Sequence, residues 1–377
     1  MGYALATIWY ERQRFLPAIF AVAFSAILIA VQGGLVIGLL SMMSLPIDKS
    51  TADVWVGYPG VRSVDLGRGI PKRWVSRIAS QPGVIRVEPA QIGFCIWTQE
   101  RHDQPPVTEV VTVVGSRLDA HSLGAVEYLR DNPELMAKLA EPFAVAVDVS
   151  DLDRLGIRNI GDQAYVFEKR VRIVGFVKGY RSLGGPYVFC SHETARILLK
   201  MMPGNVTYFV AKCENPAQAE QLASRLNQYP NMSAFSAEEF SRRSRMHWLF
   251  TTKAGIAIGF TGLLGLLVGS VVTSQTLYAA TAASQREFAT LRAMGIPSWR
   301  LQLTVVAQSL WVGFFGIIVA TPITILLAEA AGMAGTQVRL HPYVVLSASV
   351  VTMVMALGSG LAALRSFQGA DPAHNIR

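Results

Sequence analysis

Charge is scarce in this chain and unevenly placed. Asp, Glu, Lys and Arg make up 16% of its 377 residues, and none falls in 15–47, 254–283, 301–328 or 342–364. Each of these stretches exceeds the roughly 20 apolar residues that the hydrocarbon core of a bilayer demands. A soluble fold would have to bury all four at once, whereas lipid-facing helices need no such core, and the 51% hydrophobic content fits the second case. The expectation is a membrane protein with four transmembrane helices.

Recognisable reaction chemistry is scarce too. No Gly-x-x-x-x-Gly-Lys-Ser/Thr phosphate loop occurs, nor Gly-x-Ser-x-Gly, His-Glu-x-x-His or Cys-x-x-Cys, and the six histidines are scattered. The chain is therefore expected to be no enzyme, to have no catalytic, cofactor-binding or metal residues, and to rely on a separate subunit for any ATP-driven motor. Asp148, Asp151 and Asp153 are the densest carboxylates. Ser150 and Asp151 suit a helix cap before Leu152 better than a cation site. Only three cysteines are present, Cys95, Cys190 and Cys213, an odd number whose pairing the sequence leaves open.

The first apolar run follows Glu11, Arg12 and Arg14, as the core of a signal peptide would. It is too long for an apolar core of roughly 7–15 residues and no small-residue cleavage site closes it, so it is predicted to be an uncleaved anchor. Arg12 and Arg14 before the first span, Arg286, Arg292 and Arg300 between the second and third, and Arg365 after the fourth all fall on one side. Positive charge in short loops is retained in the cytoplasm, so both termini are expected there. This topology exports the long segment between the first two spans. Arg242, Arg243 and Arg245 then lie outside, where they either meet lipid headgroups or line a solvated helix face. The net charge of +8 is partly topogenic, and with no aromatic-interleaved basic motif it does not indicate nucleic acid.

The organisation expected is a cytoplasmic amphipathic segment at 1–14, the first transmembrane helix with a stalk at 15–45, and a mixed α/β extracytoplasmic domain at 46–246. A stalk and second transmembrane helix follow at 247–283, a cytoplasmic loop at 284–300, spans at 301–328 and 342–364, and a cytoplasmic tail at 365–377. Within the domain, short β-rich runs predict strands over 53–56, 84–87, 94–98, 110–115, 144–147, 187–190 and 206–212, with a hairpin inside 164–178. Helices are predicted over 71–80, 127–139, 192–202 and 216–228, the last opened by Asn215 as cap with Pro216 at the first helical position. Alternation of strands and helices argues for a mixed α/β fold and against a sandwich. Ser236 and Glu239 have capping-box spacing, and the following stretch to Lys253 lacks Gly and Pro, so one continuous helix into the second span is expected. Pro46 is expected to end the first helix.

Small residues stripe the second span at Gly255, Gly259, Gly262, Gly265 and Gly269, and Gly34 with Gly38 repeats the spacing in the first. Such stripes let helices approach closely in lipid, either within one chain or at a dimer interface. Between the second and third spans, Gly295 and Pro297 stop a helix and Ser298 is placed to cap the next. Before Gly295, the positions Glu287, Leu291 and Met294 share a helical face, which fits either an ordinary solvated helical turn or docking into a groove on a partner.

The segment Arg286-Glu287-Phe288-Ala289-Thr290-Leu291-Arg292-Ala293-Met294-Gly295-Ile296, together with the order of one span, a large external domain and three spans, resembles the MacB/FtsX superfamily of ABC transporter permeases. The resemblance covers essentially the whole chain. Trp9 to Arg14 with Phe15, the Gln32-Gly33-Gly34 stretch and 289–295 look most like the DevC-type permease subunit. The resemblance implies a MacB-like periplasmic domain and a bacterial inner-membrane location. It implies a homodimer or a paired permease, and a separate cytoplasmic ABC ATPase dimer that binds ATP and Mg. The ATPase-coupling helix would carry Arg286, Glu287, Thr290, Leu291, Arg292, Met294 and Gly295. It further implies a HlyD-type membrane-fusion adaptor, a TolC-like outer-membrane duct and membrane lipid as partners. The function so implied is export, by mechanotransmission, of a lipophilic substrate: a lipid, glycolipid, lipopeptide or drug. An FtsX-like signalling regulator of a cell-wall hydrolase, or a lipoprotein-releasing permease, are the alternatives.

Overall fold

A computed structural model of the chain describes residues 2–101, 104–182, 184–282, 290, 294–333 and 340–368. They form two compact units, 1–39 with 256–377, and 40–255.

The first unit carries the apolar helices. Among the described residues four helical stretches are long and apolar enough to cross a membrane: Arg12–Asp48, Lys253–Thr276, Trp299–Gly332 and Pro342–Leu361. Most of their side chains remain uncovered, Phe20, Phe260, Leu267, Leu326 and Val354 among them, as expected of helices whose solvent is lipid. Contacts between them run through small residues. A Cβ on Gly316 would stand 2.6 Å from the Val22 side chain, and one on Gly313 would stand 3.0 Å from the Met353 sulfur. Pro46 does not end the first helix. It occupies the opening turn of the short helix Leu45–Asp48, where its missing N–H costs nothing, and the helical stretch continues to Asp48 through a tighter turn at Met42–Ser44.

The second unit, 40–255, includes the ends of two helices. Among the described residues its strands are β1 (Val54–Gly57), β2 (Ile70–Pro71), β3 (Val84–Arg101), β4 (Gln104–Ser116), β5 (Ala144–Asp148), β6 (Gln163–Val166), β7 (Lys169–Val177), β8 (Tyr187–Ser191), β9 (Asn205–Val206), β10 (Tyr208–Cys213) and β11 (Ser233–Ser236). Nine of them join in the order β11-β1-β10-β3-β4-β8-β5-β7-β6, and β6 pairs back onto β3, while β2 and β9 form a separate pair.

The near half of β3 completes the antiparallel sheet β11-β1-β10-β3. One face, with Val54, Val56, Phe209 and Ala211, packs against Ile78 of the helix Trp74–Ala79 and Leu222 and Leu226 of the helix Ala219–Leu226. Asn215 caps the turn before that last helix, its Oδ1 accepting from Ala217 N at 3.0 Å. The other face is aromatic. Trp55, Tyr208 and Phe240 lie with ring centroids 5.7–6.1 Å apart, and Phe240 brings the helix Ala237–Thr251 onto the sheet. Coverage on both sides explains why β1 is buried throughout instead of alternating.

The far half of β3 belongs to a closed barrel, β3-β4-β8-β5-β7-β6, sealed where Trp97 and Thr98 face Val166 and Tyr165. Alternate residues point inward: Cys95 and Trp97 on β3, Val111 and Val113 on β4, Val145 and Val147 on β5. Trp97 donates its indole N–H to Leu155 O at 3.1 Å, so the largest core side chain leaves no orphaned donor. All seven expected strand regions and the hairpin fall in strands, with 84–87 and 94–98 joined in β3 and 206–212 divided between β9 and β10. The helix predicted over 127–139 is split into Glu127–Arg130 and Pro133–Leu139, because Pro133 restricts Asn132 before it.

The helix expected to run unbroken from Ser236 into the second span is two helices, Ala237–Thr251 and Lys253–Ala282. Ser236 caps the first as predicted, its hydroxyl accepting from Glu239 N at 3.3 Å. The interruption is Thr252, which is extended at φ −94° and ψ 145°.

Candidate functional site

Two short helical segments bind each other within the second unit. Ser44 and Asp48 are four residues apart on the chain that continues from the first span, and Ser241 and Arg245 are four apart on the helix Ala237–Thr251. Four-residue spacing places each pair on one helical face. Asp48 Oδ1 accepts from Ser241 Oγ at 2.6 Å, and its Oδ2 accepts from Ser44 Oγ at 2.7 Å and from Arg245 Nη2. Arg245 Nε donates to Ser44 Oγ at 2.8 Å, closing the ring. The carboxylate therefore works as a clamp between the two legs of the unit. Such charge-assisted bonds are shorter and stronger than neutral ones.

The same helix holds the loop before β2. Ser244 Oγ accepts from Val64 N at 3.1 Å and Arg243 Nε donates to Val61 O at 3.0 Å. Trp248 Nε1 donates to Asp65 Oδ1 at 3.3 Å, beside the Ser63 hydroxyl. Burial raises the Asp65 pKa against these donors. Tyr187 donates its hydroxyl to Met42 O at 2.9 Å, so the barrel also grips the tightened turn of the first leg. Arg243 and Arg245 thus have protein partners, while Arg242 stays exposed. The i,i+4 spacing of Ser44 with Asp48 and of Ser241 with Arg245 was visible in the sequence. That the two pairs meet was not.

Of the residues expected to couple to an ATPase, Arg286, Glu287, Leu291 and Arg292 lie outside the described residues. Met294 N donates to Thr290 O at 3.1 Å, the Met294 side chain is 66% exposed, and Gly295 takes φ +89°. That left-handed turn is open to Gly at no steric cost. The helix Ser298–Met333 starts at Ser298 itself.

The glycine stripe divides. A Cβ on Gly262 would meet Val36 at 3.4 Å, on Gly265 Gln32 at 2.9 Å, and on Gly269 Ile29 at 3.4 Å, all on the first span of the same chain. Ser25 Oγ donates to Gly269 O at 3.1 Å at this contact. Gly259 is half-buried, and Gly34 and Gly38 are buried. Gly255 instead lies against its own chain at Trp248.

Asp148, not Ser150 or Asp151, caps the turn before Leu152: its Oδ1 accepts from Ser150 N at 2.9 Å and its Oδ2 from Tyr180 N at 2.6 Å. Asp151 is buried, and burial reinforced by the Asp148 charge pushes its pKa up to about 6. Among the described residues no group of three or more His, Cys, Asp or Glu is arranged to hold a metal ion. All three cysteines are free and buried, and burial pushes the Cys95 thiol up to about 12.

Residues 15–229 match the family model for the MacB-like periplasmic core domain, and residues 259–372 match that for the FtsX-like permease C-terminal region. No curated protein matches the chain. Among solved structures, the periplasmic region of MacB from Actinobacillus actinomycetemcomitans is 13% identical, covering 52% of this chain and 94% of that one with a TM-score of 0.33. The extracellular domain of the noncanonic ABC-type transporter YknZ from Gram-positive bacteria is 8% identical, covering 48% and 98% with a TM-score of 0.31.

Proposed function

The chain belongs to the MacB/FtsX-type family of ABC permeases, and from that premise we propose that it is a lever driven by a separate ATPase. In this reading both termini and the turn at 286–295 are cytoplasmic, and two copies pair, each with an ATPase subunit carrying ATP and Mg. ATP-driven closure reaches the two legs, and the legs swing the periplasmic unit. A lipophilic substrate already outside the bilayer is pushed onward through a HlyD-type adaptor and a TolC-like duct, as for a DevC-type permease. No substrate has to pass between the four spans.

The observation that carries this reading is the Asp48 clamp. A lever needs its two legs to move together where they meet the load, and Ser44, Asp48, Ser241 and Arg245 bind leg to leg at that point. No arrangement of catalytic groups competes with this role among the described residues.

The test is to co-express the chain with its ATPase and a tagged adaptor, recover the complex in detergent, and identify bound proteins and lipids by mass spectrometry. Recovery of both partners with one enriched lipid class is expected. Recovery of the ATPase with a cell-wall hydrolase and no adaptor would replace export with signalling. Retained lipoprotein would point to lipoprotein release.

A further inference from the structure

Between Asp53 and Glu88 the chain carries Arg62, Arg68, Lys72, Arg73, Arg77 and Arg86 against a single acid, Asp65. Asp65 is buried and bonded to Ser63 and Trp248, so it presents no carboxylate at the surface. Arg86 pairs with Glu88 and Asp119. The other five cations are exposed, and among the described residues none of them pairs with a carboxylate. Exposed arginines on the barrel do meet acids, Arg154 with Glu109 and Arg172 with Glu141.

Two of the unpaired cations are held by aromatic faces. Arg68 Cζ lies 5.2 Å from the centroid of the Tyr58 ring, and Arg77 Cζ lies 4.8 Å from that of Tyr229. Tyr58, Trp74 and Tyr229 are half-buried against one core cluster, the one that seats the helices Trp74–Ala79 and Ala219–Leu226 on the sheet. The three rings therefore rim that cluster in fixed positions, and Lys72 and Arg73 directly precede Trp74. A guanidinium held through its face keeps its N–H edge free, and that edge matches two oxygens of one phosphate or carboxylate. Among the described residues no protein acceptor takes a side-chain N–H of Arg68 or Arg77. A face that only keeps a protein soluble mixes both signs. This one has a single sign and two anchored donors.

We propose that this face binds a lipid headgroup that ends in phosphate. Arg68 and Arg77 grip the phosphate oxygens, Lys72 and Arg73 add charge, and the rim of Tyr58, Trp74 and Tyr229 meets the apolar start of the lipid. A terminal phosphate offers three acceptor oxygens and up to two negative charges, which suits a cluster of cations with no carboxylate among them. Amphipathic rings beside the cations suit a ligand that is charged at one end and apolar at the other. The proposal rests on the export reading for its lipid, and narrows the lipophilic substrate to one with an anionic head. Tyr58 and Tyr229 act as positioning residues.

Calorimetric titration of the full chain in uncharged detergent micelles tests the site. The probes are dioctanoyl phosphatidic acid, dioctanoyl phosphatidylcholine, inorganic pyrophosphate and polyglutamate. Phosphatidic acid is expected to bind, and phosphatidylcholine, whose head is net neutral, is not. Arg68→Gln combined with Arg77→Gln should weaken phosphatidic acid by about tenfold or more, since each removes a charge-assisted contact to phosphate. Raised salt should weaken wild-type binding without any substitution. Tyr229→Phe keeps the ring and should match wild type, whereas Tyr229→Leu should fall partway to the double variant. Arg172→Gln, on the barrel, should change nothing, and wild-type unfolding midpoints in the arginine variants show an intact fold.

Binding unchanged in the double arginine variant overturns the site outright. Equal affinity for pyrophosphate would remove the lipid and leave a site for free phosphate. Tighter binding of polyglutamate, with the same dependence on Arg68 and Arg77, would replace the lipid by an acidic protein partner. None of these outcomes touches the export reading, which is decided by the partners recovered with the complex. A chain that binds phosphatidic acid through Arg68 and Arg77, yet recovers a hydrolase and no adaptor, keeps the site and loses export.

Discussion

Asp48 accepts a hydrogen bond from Arg245 across 197 positions of sequence, and this ion pair ties the end of the first leg to the helix that leads into the second span. The Asp48 and Arg245 side chains remain 26% and 35% exposed, so the pair's own contribution is modest, about 1 kcal/mol. Its position matters more than its strength. Asp48→Asn and Arg245→Met should each lower thermal stability slightly and uncouple substrate-stimulated from basal ATP turnover. A double-mutant cycle on turnover should give a coupling term well above the stability term; additive effects would remove the clamp from the mechanism.

The turn at Gly295 offers a sharper break. Gly295 at φ +89° cannot be replaced by proline, whose ring holds φ near −65°. Gly295→Pro and Glu287→Arg are both expected to insert and fractionate normally while abolishing stimulated turnover. Unchanged turnover in a protease-resistant, membrane-inserted variant would discard the docking role.

Asp151 should make stability depend on pH in a defined direction. Its folded pKa of about 6 lies above the ordinary 3.8, so the folded state holds the proton more tightly. The stability this group contributes is fully present below about pH 4 and is lost as pH rises through 6. Asp151→Asn should therefore raise stability at pH 8 by on the order of 1–2 kcal/mol, allowing for screening, and leave it unchanged at pH 4. Thermal unfolding of the detergent-solubilised chain at the two pH values reads the difference.

Gly115 on β4 lies where a Cβ would approach Ala195 Cβ to 2.1 Å, inside the barrel's seal against the helix His192–Leu198. Gly115→Ala should cost about 1–3 kcal/mol through overpacking. Gly60 has open space around it but a positive φ, which Asn tolerates better than other side chains, so Gly60→Asn adds backbone strain without overpacking and should cost less. Denaturant midpoints for the two variants decide it.

Composition revealed the spans because lipid imposes one demand on every residue facing it. The strands were legible where β-branched residues cluster, as in 144–147 and 187–190, since both faces of those strands are buried. Closure of the barrel was not, because it depends on Trp97 meeting Val166 across 69 positions, which no local pattern encodes. The same limit hid the clamp: each half shows helical spacing, and only the fold brings them together. At Thr252 the local rules allowed a helix, and a side-chain hydroxyl with one glycine selected the alternative. The Asp148 cap was displaced by only two or three positions from the one expected, because an Asp or Ser at any of those sites can serve as cap and the backbone entering from β5 decides which does.

β3 runs for 18 residues through both the open sheet and the barrel. A load applied to either half is consequently carried to the other by a single extended backbone in tension, the stiffest direction a polypeptide has. The two halves share one beam, so neither can yield without straining the ladders of its neighbour.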